Sequence, residues 1–346
     1  MPWYPDRLTP HLSVLPSCPT AGIPPLSIHY YDTIDSTNSE LWRWLDRGSP
    51  SGTVLIAGCQ GAGRGQWHRS WQSEPGGLYL SLGLRLKDLP AAEAQRLNFG
   101  TVWGLADRLR ELGFAVGLKW PNDLVAQGRK LGGVLIETRL RGQQVSEAVV
   151  GVGLNWCNAV PIEAITLQDL EPRQPIPDLE TLAAIVLQGL VQGYHRWLDP
   201  ARSLDRLLPA YLDYCVNIGQ TVPIDRNPLS LNQADRPSLD LTPDDLPTQP
   251  QPPATLPATE PHKNKITPPQ AGHLPGSNTS TPCCNHNSDT SANPNTGTVI
   301  GVTPQGCLQV QWGDTIRQYQ PGEIQLGYGD RPSSGDNPSG ATAPRA

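Results

Sequence analysis

No apolar run in this chain is long enough to cross a membrane. The longest are strand-sized, such as Gly132 to Ile136, where a spanning helix needs about 20 residues. The opening, Met1-Pro2-Trp3-Tyr4-Pro5, lacks the basic start and apolar core of a secretory signal. Positive charge is scarce as well. Lysine and arginine number 26 against 32 acidic residues, a net charge of −6, and they form no block. Binding nucleic acid through phosphate contacts relies on a basic patch, so that class of activity is not expected. The seven cysteines (18, 59, 157, 215, 283, 284 and 307) are odd in number and scattered, which reads as reduced thiols and not as a disulfide framework. No Cys–His or Ser–His arrangement suggests a nucleophilic triad. The expectation is a cytoplasmic protein with no membrane and no nucleic-acid partner.

Glycine and proline are abundant instead, 34 and 37 of 346 residues, well above the roughly 12% of average usage. Their placement divides the chain. Residues 1–26 are proline-rich without periodicity and are expected to form an irregular tail, too short for a helix-turn-helix domain. From 27 to 217 apolar residues recur at helix and strand periods, the mark of a globular body. Residues 227–296 hold 14 prolines, no aromatic residue, no valine and one isoleucine. Such a segment cannot offset about 1–2 kcal/mol per residue of backbone ordering entropy, and disorder is expected. Beyond it, TVIGVTPQGCLQVQWGDTIRQY reads as three short strands turning at Pro304-Gln305-Gly306 and Gly313-Asp314. Strand material at Thr221 to Asp225 would pair with them. A small β module over 218–327, split by the insertion, and a loose tail over 328–346 follow.

Within the body the predicted order is strand 27–31, helix 38–47, strand 53–59, a glycine-rich loop, strand 78–85 and helix 91–112. Strands 116–119, 124–126, 130–139 and 145–153 come next, then helices from an Asp178 cap to Trp197 and over 201–216. The first helix carries a capping box at Thr37-Asn38-Ser39-Glu40 and closes at Gly48. Strands paired with intervening helices give an α+β class with a mixed sheet.

Three stretches carry residues suited to chemistry. The loop Gln60-Gly61-Ala62-Gly63-Arg64-Gly65-Gln66-Trp67-His68-Arg69 could turn backbone amides toward an anion, with Arg64 and Arg69 as charge-assisted donors; a plain turn is the other reading. It is neither a P-loop nor a Rossmann fingerprint, because no GKS or GKT follows and the next element is a strand. Lys119-Trp120-Pro121-Asn122-Asp123-Leu124 reverses the chain at a strand end and displays Lys119, Asn122 and Asp123, or is simply a polar hairpin turn. Lys130, seven residues beyond Asp123, opens the apolar strand RKLGGVLIE, as a site lysine or as an edge-strand gatekeeper. A third strand, GVGLN, ends at Asn155.

In order along the chain, Ser36-Thr37-Asn38, the GAGRG loop with Arg69 and Trp71-Gln72-Ser73, Gly77-Leu78-Tyr79-Leu80-Ser81, KWPNDL, RKLGGVLIE and GVGLN resemble the biotin protein ligases. The resemblance covers roughly residues 28–225 and 297–327. It implies a mixed sheet with helices on one side and an SH3-like C-terminal module. It also implies an ATP- and Mg²⁺-dependent ligase that joins biotin to AMP and passes it to a lysine of the apo biotin carboxyl carrier protein of acetyl-CoA carboxylase, as a monomer or homodimer. By motif position Lys130 would be the central catalytic cation, with Arg64 and Arg69. Ser36, Thr37, Asn38, Gln60, Gly65, Gln66, Trp67 and Lys130 would line biotin. Lys119, Asn122, Asp123 and Asn155 would face the nucleotide, and Asp123 the Mg²⁺.

One departure stands out. Many members read GRGRxGR, whereas Gln66 replaces the second arginine here and His68 a glycine. Compensation by Arg69 or Arg64, or a looser hold on the intermediate, would follow. A lipoate–protein ligase or octanoyl transferase on the same scaffold, or an idle adenylate-binding adaptor, are the alternative readings.

Overall fold

The computed structural model describes residues 3–4, 25–170, 175–223, 296–324 and 326–327. Most of the N-terminal tail, the proline-rich insertion and the C-terminal tail lie outside these residues.

Seven strands form the main sheet: β1 (Ser27–Ile34), β2 (Thr53–Gln60), β3 (Leu78–Pro90), β4 (Gly117–Lys119), β5 (Asp123–Ala126), β6 (Arg129–Arg141) and β7 (Gln144–Leu154). Their order is β1-β2-β3-β7-β6-β5-β4. β1 and β2 are parallel, being joined through helix α1 (Thr37–Asp46); every other pair is antiparallel, and β3 meets β7 across the helix and three strands that separate them in the chain. The longer helices are α2 (Gln95–Glu111) and α3 (Leu179–Trp197), and a short α4 (Leu204–Leu212) follows. Among the described residues no helix is long and apolar enough to cross a membrane.

Strand parity decides which helix covers which face. Val54 and Ile56 of β2 join the large core that holds Leu97 and Val102 of α2 and Leu182 and Ile185 of α3. Leu55, between them, points the other way and packs with Val149, Leu41 and Leu45 of α1. The helices therefore occupy both faces of the sheet, which corrects the expectation of one side. α1 sits opposite α2 and α3, and the candidate site forms on its side.

Three boundaries differ from the sequence reading for local reasons. The cap of α1 is Ser36, whose backbone is extended and whose Oγ accepts Ser39 N–H at 3.4 Å. Thr37 is already helical, and Glu40 spends its carboxylate on Arg43 and Trp44. The Thr37 hydroxyl is thereby left for the site. Residues 91–93 form a separate 3₁₀ turn after Pro90, so α2 starts at Gln95, with no capping side chain at Ala94. α4 is shorter than expected, preceded by Ser203, and the chain turns after Leu212.

The second sheet is the predicted β module. β8 (Thr221–Pro223), β9 (Thr296–Val302), β10 (Leu308–Trp312) and β11 (Thr315–Tyr319) form an antiparallel sheet in the order β11-β10-β9-β8. Pro223 pairs directly with Thr296, so strand material on both sides of the insertion does meet. Val222, Val299, Leu308 and Val310 are continuous with the main core.

Candidate active site

The site begins where α1 starts over the sheet. Ser36, Thr37 and Asn38 are all at least 96% buried. Gln60, the last residue of β2, accepts from Thr37 N–H at 2.8 Å and from the Thr37 hydroxyl at 3.1 Å, and donates to Ser73 Oγ at 2.7 Å. Ser81 of β3, fully buried, stands 2.7 Å from Thr37 Oγ1 and donates to Asn38 Oδ1 at 2.6 Å. The Asn38 amide donates to Glu137 Oε2 at 3.0 Å. These groups hold one another in fixed orientations, the arrangement buried polar residues require if they are to present lone pairs and protons to a ligand.

A cluster of charge lies at the far end of β5 and β6. β4 and β5 form a hairpin through the cis Trp120–Pro121 peptide, with Lys119 opposite Asp123. Lys130 Nζ ion-pairs with Asp123 Oδ1 at 2.7 Å and lies 5.1 Å from the centroid of the Trp71 ring. Lys119 is 8% exposed. Burial lowers its amine to about 8, and the neighbouring charges of Lys130 and Arg69 push the same way against Asp123. Lys119 thus shares a field with two further cations, Lys130 and Arg69, and with the carboxylate of Asp123. The arrangement is short of negative charge and suits an anion.

The glycine-rich loop joins the two groups. Trp71 lies flat on the sheet because β7 carries no side chain beneath it: a Cβ at Gly153 would stand 2.5 Å from the ring. The indole N–H is buried without a hydrogen-bond partner. Arg64 leaves toward α1, where its guanidinium meets Glu137 Oε1 at 2.5 Å and Ser39 Oγ at 3.3 Å. Gly65 N–H donates to Arg69 C=O at 2.7 Å, closing the tip, and Gln66 opens a short 3₁₀ turn. Trp67 is 60% exposed and rests on Gly322 of the β module.

The sequence-derived residues thus divide into two clusters. Arg64 joins the Glu137 group and Arg69 the Lys119 group. Asn122 and Asn155 are buried with their amides already engaged, Asn122 to Val134 C=O and Asn155 to Lys130 C=O at 3.4 Å and to Asn158 at 3.2 Å. Their position fixes β5 and the end of β7 against β6. Three members were not singled out from sequence as site residues: Ser81, Glu137 and Trp71. Ser81 and Glu137 stand opposite Leu55 and Val149, the residues of β2 and β7 that pack with α1, so strand parity is the signal that could have found them. Among the described residues no three His, Cys, Asp or Glu side chains converge as a metal site.

A family model described as the biotin/lipoate A/B protein ligase family matches residues 30–155. The biotin–[acetyl-CoA-carboxylase] ligase of Paracoccus denitrificans is 33% identical over 183 residues, 51% of this chain and 68% of that protein. The bifunctional ligase/repressor BirA of Escherichia coli is 39% identical over 172 residues, 47% of this chain and 52% of its own length. The chain spans 39% of the BirA of Bacillus subtilis. A solved biotin protein ligase from Aquifex aeolicus, in complex with biotin and ATP, superposes with a TM-score of 0.53 at 20% identity, covering 86% of this chain and 97% of that one, which supports the fold. With the motifs of the resemblance now placed on one sheet and the segments that border it, and a relative matched over 68% of its length, the chain belongs to the biotin protein ligases.

Proposed function

We propose that the protein activates biotin with ATP, forming biotinyl-5′-AMP and pyrophosphate, and transfers the biotinyl group to a lysine of the biotin carboxyl carrier protein of acetyl-CoA carboxylase. The observation that carries this reading is the cluster of Lys119, Lys130 and Arg69 with Asp123, linked through Trp71 and Ser73 of the loop to the buried polar network of Ser36, Thr37, Gln60 and Ser81. A carboxylate and a triphosphate repel each other in water. Fixed cations between them neutralise both, and this preorganised stabilisation is the main contribution a site without a covalent nucleophile makes.

In the first step a biotin carboxylate oxygen attacks the α-phosphorus, the bond to the β-phosphate oxygen breaks, and pyrophosphate leaves. Lys130, held by Asp123 and the Trp71 face, faces the charge that develops on the carbonyl and α-phosphate oxygens. Lys119 and Arg69 meet the remaining phosphates. The polar network around Thr37 and Gln60 receives the ureido end of biotin, with Ser36 and Asn38 holding that network at the helix start. Gly65, Gln66 and Trp67 belong to the segment that covers the adenylate, with Arg64 anchoring its base. Asn122 and Asn155 keep the strands bearing Lys130 in register. In the second step the carrier lysine attacks the carbonyl carbon, its proton leaves, and AMP departs. Mg²⁺ would enter as part of the MgATP substrate, and Asp123, paired with Lys130, is the carboxylate that would face it.

The test is biotin-dependent pyrophosphate release, with lipoate and octanoate in parallel, followed by labelling of an apo carrier. Biotin alone should support both steps. Turnover with lipoate but not biotin would assign the chain to the sister activity, and adenylate formation without labelling would make it an adenylate binder.

A further inference from the structure

The tip of the glycine-rich loop is held from outside the body. Trp67, although 60% exposed, lies with one edge of its indole against the turn after β11: a Cβ at Gly322 would stand 2.7 Å from Trp67 Cε2 and Cζ2. Gly322 has φ +96°, so the turn itself favours glycine. That turn is braced. Gln320 N–H donates to Glu323 Oε2 at 2.7 Å, Glu323 N–H donates to Gln320 C=O at 3.1 Å, and Pro321 bridges Ile324.

The module bearing this turn is fastened to the rigid part of the site. Trp120 of the β4–β5 hairpin donates its indole N–H to Gly306 C=O at 2.9 Å, and its backbone N–H to Asn217 Oδ1 at 2.9 Å. The loop tip, by contrast, contains two consecutive left-handed residues, Trp67 at φ 57° and His68 at φ 58°. Bulky side chains adopt that conformation only where their surroundings hold it.

We propose that the turn at Gly322 is a positioning element of the active site. It seats Trp67, and through the two left-handed residues it sets where Gln66 and Arg69 stand, so that the C-terminal module governs how firmly the loop retains the acyl-adenylate. Trp67 and Gly322 act through the loop and touch no reacting atom in this role. The retention half of the inference rests on the function proposed above; the seat itself does not.

Four variants separate these points: Gly322→Val, Trp67→Ala, the double variant, and Gly313→Val. Gly313, on the same module, also has positive φ, but open space surrounds it, so its substitution introduces backbone strain without a clash. Hydrogen exchange of residues 65–71 is measured in ligand-free protein, and biotinyl-AMP release in a chase with unlabelled substrate. Exchange should rise at least fivefold in Gly322→Val and in Trp67→Ala, no further in the double, and not at all in Gly313→Val. Adenylate release should accelerate in the same variants. If Gly322→Val does not fold, Trp67→Ala decides alone. Unchanged loop exchange in Trp67→Ala, or effects that multiply in the double, overturns the seat. Faster exchange with unchanged release overturns its control of retention. Expected exchange behaviour in a protein that forms no biotinyl-AMP leaves the seat standing and refutes the proposed function.

Discussion

Lys119, Asp123 and Lys130 ride on strands hydrogen-bonded to their neighbours, whereas the segment from Gly61 to Ser73 is tied down at separate points. Arg64 is held at Glu137, Trp67 at Gly322, Trp71 on the sheet and Ser73 at Gln60. Strand-borne charge costs nothing to arrange at the moment of reaction, because folding has already fixed it. The loop's contacts are individually weak: the Arg64–Glu137 pair is 44% and 25% exposed, the range in which ion pairs contribute little. One half of the candidate site is fixed by the sheet and the other is held at separate points, so under the proposed function the second is the half that would open to substrate and product.

The sharpest way to break that contrast is to remove charge from the rigid half. Lys130→Ala should lower biotin-dependent pyrophosphate release by about 10² to 10³, the usual cost of one contact made to developing charge; wild-type turnover in this variant would remove Lys130 from the mechanism. A substitution in the loop half should act on retention and not on chemistry. Glu137→Gln keeps shape but weakens the hold on Arg64 and Asn38. It should raise the release rate of biotinyl-AMP about twofold to fivefold, the effect of a half-exposed ion pair worth up to about 1 kcal/mol, while the single-turnover rate of adenylate formation changes less than twofold.

Between these lies the titration of Lys119. Its folded pKa, about 8, is below its ordinary value of 10.5. The amine is therefore mostly charged at pH 7 and loses its charge as pH rises through 8. The KM for ATP should climb severalfold between pH 7 and 9, and Lys119→Arg, which stays charged, should flatten that rise. For stability the sign is opposite. The unfolded chain binds more protons between about 8 and 10.5, so this group's destabilising contribution is full below 8 and fades towards 10.5. A flat KM profile in the wild type would show that Lys119 does not face the phosphates.

The smallest effect is expected outside both halves. Because Pro223 pairs with Thr296, replacing residues 229–293 by a short Gly/Ser bridge should leave ligation within twofold and thermal stability unchanged or slightly raised, shorter loops closing at about 0.6 kcal/mol less per halving. Loss of carrier labelling with adenylation intact would instead give the insertion a docking role.

What the sequence disclosed follows the same division. Lys119, Asp123 and Lys130 were legible because strand ends and a tight turn have local signatures, and the order of motifs identified the family. Ser81 and Glu137 were less so: each strand carries other polar residues, and only the parity that turns Leu55 toward α1 reveals which face these two serve. The position of α1 on that face was misjudged for the same reason. Thr37 was misread as a cap because Ser36, one residue earlier, is an equally good one. The seat of Trp67 on Gly322 was invisible, since nothing local in either residue points to the other across the whole length of the chain.

The shared family region, residues 30–155, carries every signature motif, yet its sheet is completed by chain that lies beyond it. β4 is the outermost strand of the sheet, and its free edge is closed by later chain: Leu118 N–H donates to Tyr214 C=O at 2.7 Å, and Val216 N–H to Leu118 C=O at 2.9 Å. During synthesis the strands bearing Lys119 and Lys130 therefore emerge with an unpaired edge, and α2 with its apolar side uncovered, until α3 and residues 214–216 follow. Such an edge is a template for pairing with other chains. Truncations drawn at the boundaries of the recognisable motifs should aggregate, and a soluble minimal enzyme has to extend at least through Asn217.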